Sequence, residues 1–417
     1  MGNCGGTAVE KREVGRIPAG TRVVVGLLLA AALLWLVEPA LAARPRGRAE
    51  KPAATQAEPR TKAPAGPATP SWIVVHAATG EELASQEPDR PGAPASMTKM
   101  MLALVVMEAV KEGQLTMADP VPTSRLASKM GGSQVYLKEG ESFSVEEMLA
   151  GLLIGSANDA AVALAERLTG SVEATVQRMN DRAGALKLTR TKFGSVHGLP
   201  PSPGQAGDVT TPRDMARLGQ ELLKYPEILR WTGTPEAPFR GGSFILRNSN
   251  KLIGKFPGAD GIKTGHFAEA GYNVAVTAKR GNLRLIAVVM GAPTNQARFT
   301  EAARLLGEGF NRFTEVSVIK AGAPVGSELR IARAKGPFRP LAKNDVQVLV
   351  KREEKDALKT SLEIQLDLKA PLTKGQVVGA LVVRVGEREV AGGTGPTKRA
   401  AHQVAAARAL AQLRSEA

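Results

Sequence analysis

Pro94-Ala95-Ser96-Met97-Thr98-Lys99-Met100-Met101-Leu102-Ala103-Leu104-Val105-Val106 is the stretch that decides the fold. A serine follows a Pro/Ala turn, and a lysine follows the serine by three. An apolar run, broken only by Glu108, then continues to Val110 before Gly113. Residues three apart share a helix face, so Ser96 and Lys99 can touch. A helix that is apolar nearly all round belongs in a core. A lysine in its first turn is desolvated and becomes less basic. A neutral amine beside a hydroxyl is a base beside a nucleophile. The positive end of the helix also favours developing negative charge. Four residues alone equally fit a solvated helix start, so the rest of the chain has to choose.

Length and composition narrow the choice. A chain of 417 residues predicts two or three domains. Its formal net charge of +15 suits an anionic partner without selecting one. Cys4 is the single cysteine, which excludes intrachain disulfides, a thiolate zinc cluster and a catalytic cysteine pair. The four histidines show no metal-ligand spacing.

Residues 1–42 read as a secretion signal: Lys11, Arg12, Arg16 and Arg22 precede the apolar run Val23 to Val37, and Ala40-Leu41-Ala42 offers a cleavage site. The run has 15 residues, short of the ~20 that span a membrane; an uncleaved anchor is the alternative. Residues 43–70 form a basic Pro/Ala-rich linker in which Arg44, Arg46, Arg48, Lys51, Arg60 and Lys62 outnumber Glu50 and Glu58. A globular domain begins at Ser71 with two short strands, Trp72–Val75 and Glu82–Ala84, before the opening helix. Ser144 and Glu147 predict a capping box for a helix to Ile154. Gly155-Ser156-Ala157-Asn158 then turns at once into a helix from Asp159 to Leu168, which puts Ser156 and Asn158 at a tip between buried segments. Further helices are expected from Val172 to Leu188 and, behind the Thr211-Pro212 cap, to Leu223. His197, in the intervening loop, reads as a surface residue. Strands are expected at Phe244–Leu246 and Lys251–Ile253. Tyr272–Thr277 and Leu283–Met290 make a hairpin through Gly281-Asn282, and Lys263-Thr264-Gly265 precedes it. A helix from Arg298 to Phe310 closes the domain.

Ser-x-x-Lys, Ser-x-Asn and Lys-Thr-Gly thus fall in order on a helix start, a helix corner and a strand. In Pro94–Met101, Ile154–Ala160, Val196-His197-Gly198-Leu199, Asp260–His266 and Ala270–Asn273, the chain resembles the D-alanyl-D-alanine carboxypeptidases, penicillin-recognising serine enzymes. The likeness covers about residues 71–390. It implies an α/β (α+β) fold, with an antiparallel sheet flanked by helices and an all-helical subdomain, of β-lactamase/transpeptidase type. It implies a catalytic domain at 71–313 and a small β-rich domain at 314–390.

The resemblance also implies roles. Ser96 attacks the carbonyl of the penultimate D-alanine of a peptidoglycan stem peptide, and Lys99 takes its proton. Ser156 protonates the leaving amine, and Asn158 holds the substrate amide and Lys99. Lys263 keeps the relay electropositive. Thr264 binds the terminal carboxylate, and Arg298 is a candidate second contact, with a solvated first-turn arginine as the alternative. Backbone N–H groups of Ser96 and His266 form an oxyanion hole beside Gly265. No metal or cofactor is implied, and β-lactams are expected to acylate Ser96. A class A β-lactamase would carry a deacylating loop glutamate, and residues 189–240 hold no Glu-x-x-Leu-Asn. An endopeptidase or transpeptidase of the same superfamily stays open, as does a non-catalytic wall-binding protein. Secretion across the inner membrane to the periplasm or cell envelope is expected.

Beyond Phe313, Asp345–Val350 and Leu362–Leu368 alternate at period two, and Val377–Val383 forms a third apolar run. Residues 391–417 read as a basic tail with an Ala-rich helix from Ala400 to Leu413. Its few large apolar side chains suit only a weak peripheral membrane contact. The Gly392–Arg399 segment resembles the last loop of double-stranded-RNA-binding domains, yet no nucleic-acid partner is expected.

Overall fold

The computed structural model describes residues 69–330, 336–364, 371, 377–390 and 409–413. The expected signal, nearly all of the expected linker and most of the tail lie outside the described residues.

Strands β1 (Ser71–His76) and β2 (Glu82–Gln86) pair antiparallel. Ala95–Thr98 form one 3-10 turn that runs directly into α1 (Lys99–Lys111). Every residue of α1 from Met100 to Val106 is 0% exposed. The helix has no solvent face there because the sequence supplies none, and other elements must surround it. A helical lobe does so. Within it β3 (Pro120–Pro122) leads through a short α2 (Arg125–Ser128) to β4 (Ser142–Ser144), its antiparallel partner. Next, α3 (Val145–Leu153) opens on the predicted capping box. Ser144 Oγ accepts from Glu147 N at 3.2 Å, and the Glu147 carboxylate accepts from Ser144 N at 2.9 Å. Then come α4 (Asn158–Thr169) and α5 (Val172–Ala185). The Thr211 cap and Pro212 start α6 (Pro212–Leu222) as expected. An unanticipated α7 (Pro226–Thr232) follows; it too begins on a proline, whose fixed φ suits a first turn.

The hairpin β5 (Glu236–Phe239) and β6 (Phe244–Arg247) precedes the main sheet. That sheet adds β7 (Ala259–Phe267), β8 (Gly271–Arg280) and β9 (Leu283–Ala292), in the antiparallel order β2-β1-β9-β8-β7. Side chains alternate across it. Ile286, Val288 and Met290 of β9 join the core shared with α1, α3, α4 and α6. Leu285, Ala287 and Val289 face the other way, onto Phe299, Ala302, Leu306 and Phe310 of α8 (Asn295–Arg312). The sheet is therefore the middle layer, and β7 is its edge beside the helical lobe.

Two expectations are corrected in this part. Lys251–Ile253 is a turn, not a strand: Asn250 Oδ1 accepts from Leu252 N at 3.1 Å and closes the chain on itself. Helix α8 starts three residues before Arg298, because the Thr294 hydroxyl caps it by accepting from Ala297 N at 3.0 Å.

The remainder is β-rich, as expected. Strand β10 (Phe313–Ile319) pairs with β12 (Val346–Lys351). A second sheet holds β11 (Pro340–Ala342), β13 (Leu358–Ile364), β14 (Val377–Val385), β15 (Arg388–Glu389) and β16 (Ala409–Leu413). Here the tail departs from expectation. Ala409–Leu413 is a strand between β14 and β11, not the last turns of a helix. The unpaired backbone along the edge of β14 is a template for a further strand, and it overrides the helix preference of alanine. Among the described residues no helix is long and apolar enough to cross a membrane.

The placement of α1 makes a ranking testable. Leu104→Ala, at a fully buried site, is expected to cost about 2–5 kcal/mol. Ser144→Ala, which removes one cap, is expected to cost ~1 kcal/mol. Urea unfolding of both variants checks this, and a smaller loss for Leu104→Ala would contradict the central place of α1.

Candidate active site

Three backbone segments meet at one point. The first is the Ala95–Thr98 turn. Ser96 is half-buried, so its hydroxyl can be reached, whereas Lys99 behind it is 0% exposed. Lys99 Nζ lies 2.9 Å from Ser96 Oγ, 2.7 Å from Asn158 Oδ1 and 2.7 Å from the His197 carbonyl. A neutral amine has two protons for the amide and carbonyl oxygens and a lone pair for the serine proton. Burial pushes the Lys99 pKa well below its usual value, the nearby Lys263 pushes it further, and Asp208 and Asp159 oppose both.

The second segment is the corner between α3 and α4. Ser156 sits there at φ +60°, a left-handed conformation that costs a non-glycine residue energy. Asn158 begins α4 just beyond. Its Nδ2 donates to the Gly131 carbonyl at 2.7 Å, which turns Oδ1 towards Lys99. Asp159, 1% exposed, accepts from Val135 N at 3.1 Å and Leu137 N at 3.0 Å and so holds the neighbouring segment against the corner.

The third is β7. Lys263, 2% exposed, donates to Ser156 Oγ at 2.8 Å and to the Thr264 carbonyl at 3.1 Å. Burial, and next the charge of Arg298, lower its pKa to about 7. Thr264 Oγ1 lies 2.5 Å from Ser249 Oγ. Gly265 is dictated by proximity. A Cβ there would fall 2.3 Å from the Pro94 carbonyl oxygen and 3.1 Å from Ser96 N, so only glycine lets the strand lie against the serine turn. The buried Asn273 of β8 fastens the same junction, donating to the Ala93 carbonyl at 2.8 Å and accepting from Gly291 N at 2.7 Å. His266 is exposed at the rim, and its ring stacks on Tyr272 at 3.8 Å.

All the residues singled out in the sequence come together here except one that stands behind the others. Arg298 is not a solvated first-turn arginine: it is 6% exposed, and its guanidinium donates to the Gly265 carbonyl at 3.1 Å, the Asn273 carbonyl at 2.9 Å and Asn295 Oδ1 at 2.6 Å. Burial lowers its pKa to about 10. His197 also corrects expectation. It is half-buried, its carbonyl faces Lys99, and burial followed by Lys99 brings its imidazole down to about 4. Its Nδ1 accepts from Leu199 N at 3.1 Å, which leaves the ring proton on Nε2. A main-chain carbonyl has no side-chain signature, so only the Val196–Leu199 resemblance pointed to this loop. Asp208 carried no sequence signal, and Asn273 was marked only as the end of the Ala270–Asn273 resemblance.

The arrangement pairs two hydroxyls with two buried amines, Ser96 with Lys99 and Ser156 with Lys263, beside a strand edge. Among the described residues no group of three or more His, Cys, Asp or Glu side chains is placed to hold a metal. The fold and site define a serine acyl-transfer enzyme. A family model described as D-alanyl-D-alanine carboxypeptidase matches residues 57–294, and one described as penicillin-binding protein 5, C-terminal domain, matches residues 313–409. The D-alanyl-D-alanine carboxypeptidase DacF of Bacillus subtilis is 38% identical over 319 residues, 75% of this chain and 81% of the relative. The crystal structure of penicillin binding protein 5 from Haemophilus influenzae is similar at a TM-score of 0.67 and 32% identity, covering 78% of this chain and 94% of that one. Penicillin-binding protein D2 from Listeria monocytogenes, in its ampicillin bound form, is similar at a TM-score of 0.53 and 32% identity, covering 58% of this chain and 96% of that one. The chain belongs to the D-alanyl-D-alanine carboxypeptidase family.

The tight fit at Gly265 is open to test. Gly265→Ala must part β7 from residues 94–96, and reaction of Ser96 with a fluorescent penicillin is expected to fall ~100-fold or more. Circular dichroism should stay native; undiminished labelling would show that the contact does not shape the site.

Proposed function

We propose that this protein is a serine D-alanyl-D-alanine carboxypeptidase that removes the terminal D-alanine of peptidoglycan stem pentapeptides through a Ser96 acyl-enzyme, and that β-lactams acylate the same serine. The observation that carries the reading is the doubled amine–hydroxyl pair, Lys99 with Ser96 at 2.9 Å and Lys263 with Ser156 at 2.8 Å.

Neutral Lys99 accepts the Ser96 proton as Oγ attacks the carbonyl carbon of the penultimate D-alanine. The oxygen of the tetrahedral intermediate faces the backbone N–H groups of Ser96 and His266; one such donor contributes about 3–4 kcal/mol in a related setting. Ser156 gives a proton to the leaving D-alanine nitrogen and regains one through Lys263 and Lys99. Asn158 orients the substrate amide and holds Lys99. The hydroxyl of Thr264 receives the terminal carboxylate. Arg298 adds cationic charge behind the Gly265 carbonyl, and it reaches the carboxylate only by giving up a present partner. Water then attacks the ester, releasing the shortened peptide and returning Ser96. An ampicillin bound relative supports the β-lactam part.

An envelope location belongs to the same reading. It is supported by the basic, apolar and small-residue pattern within residues 1–42 and by a substrate that lies outside the cytoplasmic membrane. A peripheral membrane contact is supported only by the basic charge around residues 398–414.

Purified protein is expected to release D-alanine from a stem pentapeptide, and Ser96→Ala to release none. Penicillin is expected to leave an adduct that turns over slowly; hydrolysis of penicillin at catalytic speed would replace this reading with a β-lactamase. The pH dependence has a definite sign. Acylation requires unprotonated Lys99, so it falls as pH drops through the Lys99 pKa. Lys263→Met removes the neighbouring positive charge, so Lys99 holds its proton more tightly. The acid limb of the remaining acylation should therefore move to higher pH, and a shift to lower pH would refute the coupling.

A further inference from the structure

Asp208 takes no part in the steps above, yet it ties two pieces of the site together. Its carboxylate accepts four hydrogen bonds. Thr98 Oγ1 donates at 2.6 Å and Ser195 Oγ at 3.0 Å, while Gly194 N donates at 2.7 Å and Ser195 N at 2.9 Å. Thr98 is 0% exposed and stands between Ser96 and Lys99 on their turn. Ser195 passes the link on, its Oγ accepting from Gly198 N at 2.8 Å. Gly198 lies so close to the serine turn that a Cβ on it would meet the Ala95 carbonyl oxygen at 2.0 Å. Between Ser195 and Gly198 comes His197, whose carbonyl receives Lys99 Nζ.

A carboxylate suits this place for a reason of valence. It offers two oxygens with two lone pairs each and no proton, so it can satisfy four donors from two directions. An asparagine of the same shape offers one such oxygen and turns an NH2 group towards the remaining donors. We propose that Asp208 is a positioning residue for acyl transfer: it locks the Ser96–Lys99 turn to the loop whose His197 carbonyl fixes the lysine, and so sets the amine against the nucleophile.

Charge gives this role a readout that packing alone would lack. The titratable groups facing Lys99 are Lys263 from β7, Asp159 from α4, and Asp208 and His197 from the loop. Burial and Lys263 disfavour the Lys99 ammonium, whereas Asp208 and Asp159 favour it. Neutralising position 208 therefore weakens proton binding at Lys99.

The inference rests on the Ser96 acyl-enzyme reading. Stopped-flow acylation by a fluorescent penicillin, followed over a range of pH with melting temperatures alongside, tests it on the full chain, Asp208→Asn, Thr98→Val and Thr98→Ser. Asp208→Asn and Thr98→Val should each lower the acylation rate constant ~10- to 100-fold, and Thr98→Ser, which keeps the hydroxyl, should restore it. The acid limb should move to lower pH in Asp208→Asn and stay in place in Thr98→Val. Wild-type acylation by folded Asp208→Asn, or an equal loss in Thr98→Ser and Thr98→Val, would overturn the role. A lower melting temperature with an unchanged rate and pH limb would reduce Asp208 to a structural residue and also overturn it. Should Asp208→Asn not fold, the two Thr98 variants decide. An unlabelled wild type would instead defeat the Ser96 reading, and this inference with it.

Discussion

A lysine amine sealed from water is the constraint on which this structure depends. An ammonium taken out of water without a paired charge is strongly disfavoured, and in practice the group gives up its proton. The neighbours of Lys99 Nζ are a hydroxyl, an amide oxygen and a carbonyl oxygen, all of which a neutral amine can satisfy. Keeping the amine dry requires a helix that is buried on every side, and α1 supplies one. That in turn requires a lobe built mainly of helices on one side of α1 and a sheet on the other, which is the architecture observed. The chemistry of one side chain and the layering of the molecule are two aspects of the same burial.

Burial alone would simply extinguish the charge. A second set of groups tunes it. Lys263 acts with burial against protonation of Lys99, whereas Asp159 and Asp208 act for it. Neither carboxylate is within hydrogen-bonding range of the amine, because each is occupied by backbone or hydroxyl donors of its own. The acids thus hold loops in place and lend their charge at a distance. A direct ion pair would have kept Lys99 cationic and useless as a base; a site without anions would have left its amine a weaker acceptor for the serine proton.

The parts that were legible in the sequence are those with a periodic or local cause. Ser96 and Lys99 follow from a three-residue helical spacing, Ser144 with Glu147 from a local capping box, and the β8–β9 hairpin from two apolar runs joined through Gly281-Asn282. What the sequence concealed depends on contacts distant along the chain. The His197 carbonyl and Asp208 reach the serine turn from about a hundred residues away. Asn273 joins β8 to residues 93–94 from 180 residues away. Lys251–Ile253 looked like a strand because Leu and Ile are apolar, and a single Asn250 hydrogen bond made it a turn. Ala409–Leu413 looked like a helix because alanine favours one, and an open sheet edge made it a strand.

Strain marks the same place that burial does. Ala95, just before the nucleophile, has φ +50°, and Ser156 has φ +60°. Each such residue costs on the order of 1–3 kcal/mol and persists only where its surroundings over-determine it. The surroundings here are identifiable. Asn273 grips residues 93–94, Gly198 presses on Ala95, and Asn158 and Asp159 grip the segment that borders Ser156. The two strained residues flank or carry the two hydroxyls, so each oxygen is held against its buried amine, and that of half-buried Ser96 stays within reach. Relaxing either backbone would rotate a hydroxyl away from its lysine. The strain therefore maintains the separation on which the chemistry rests: a reachable oxygen above a dry nitrogen.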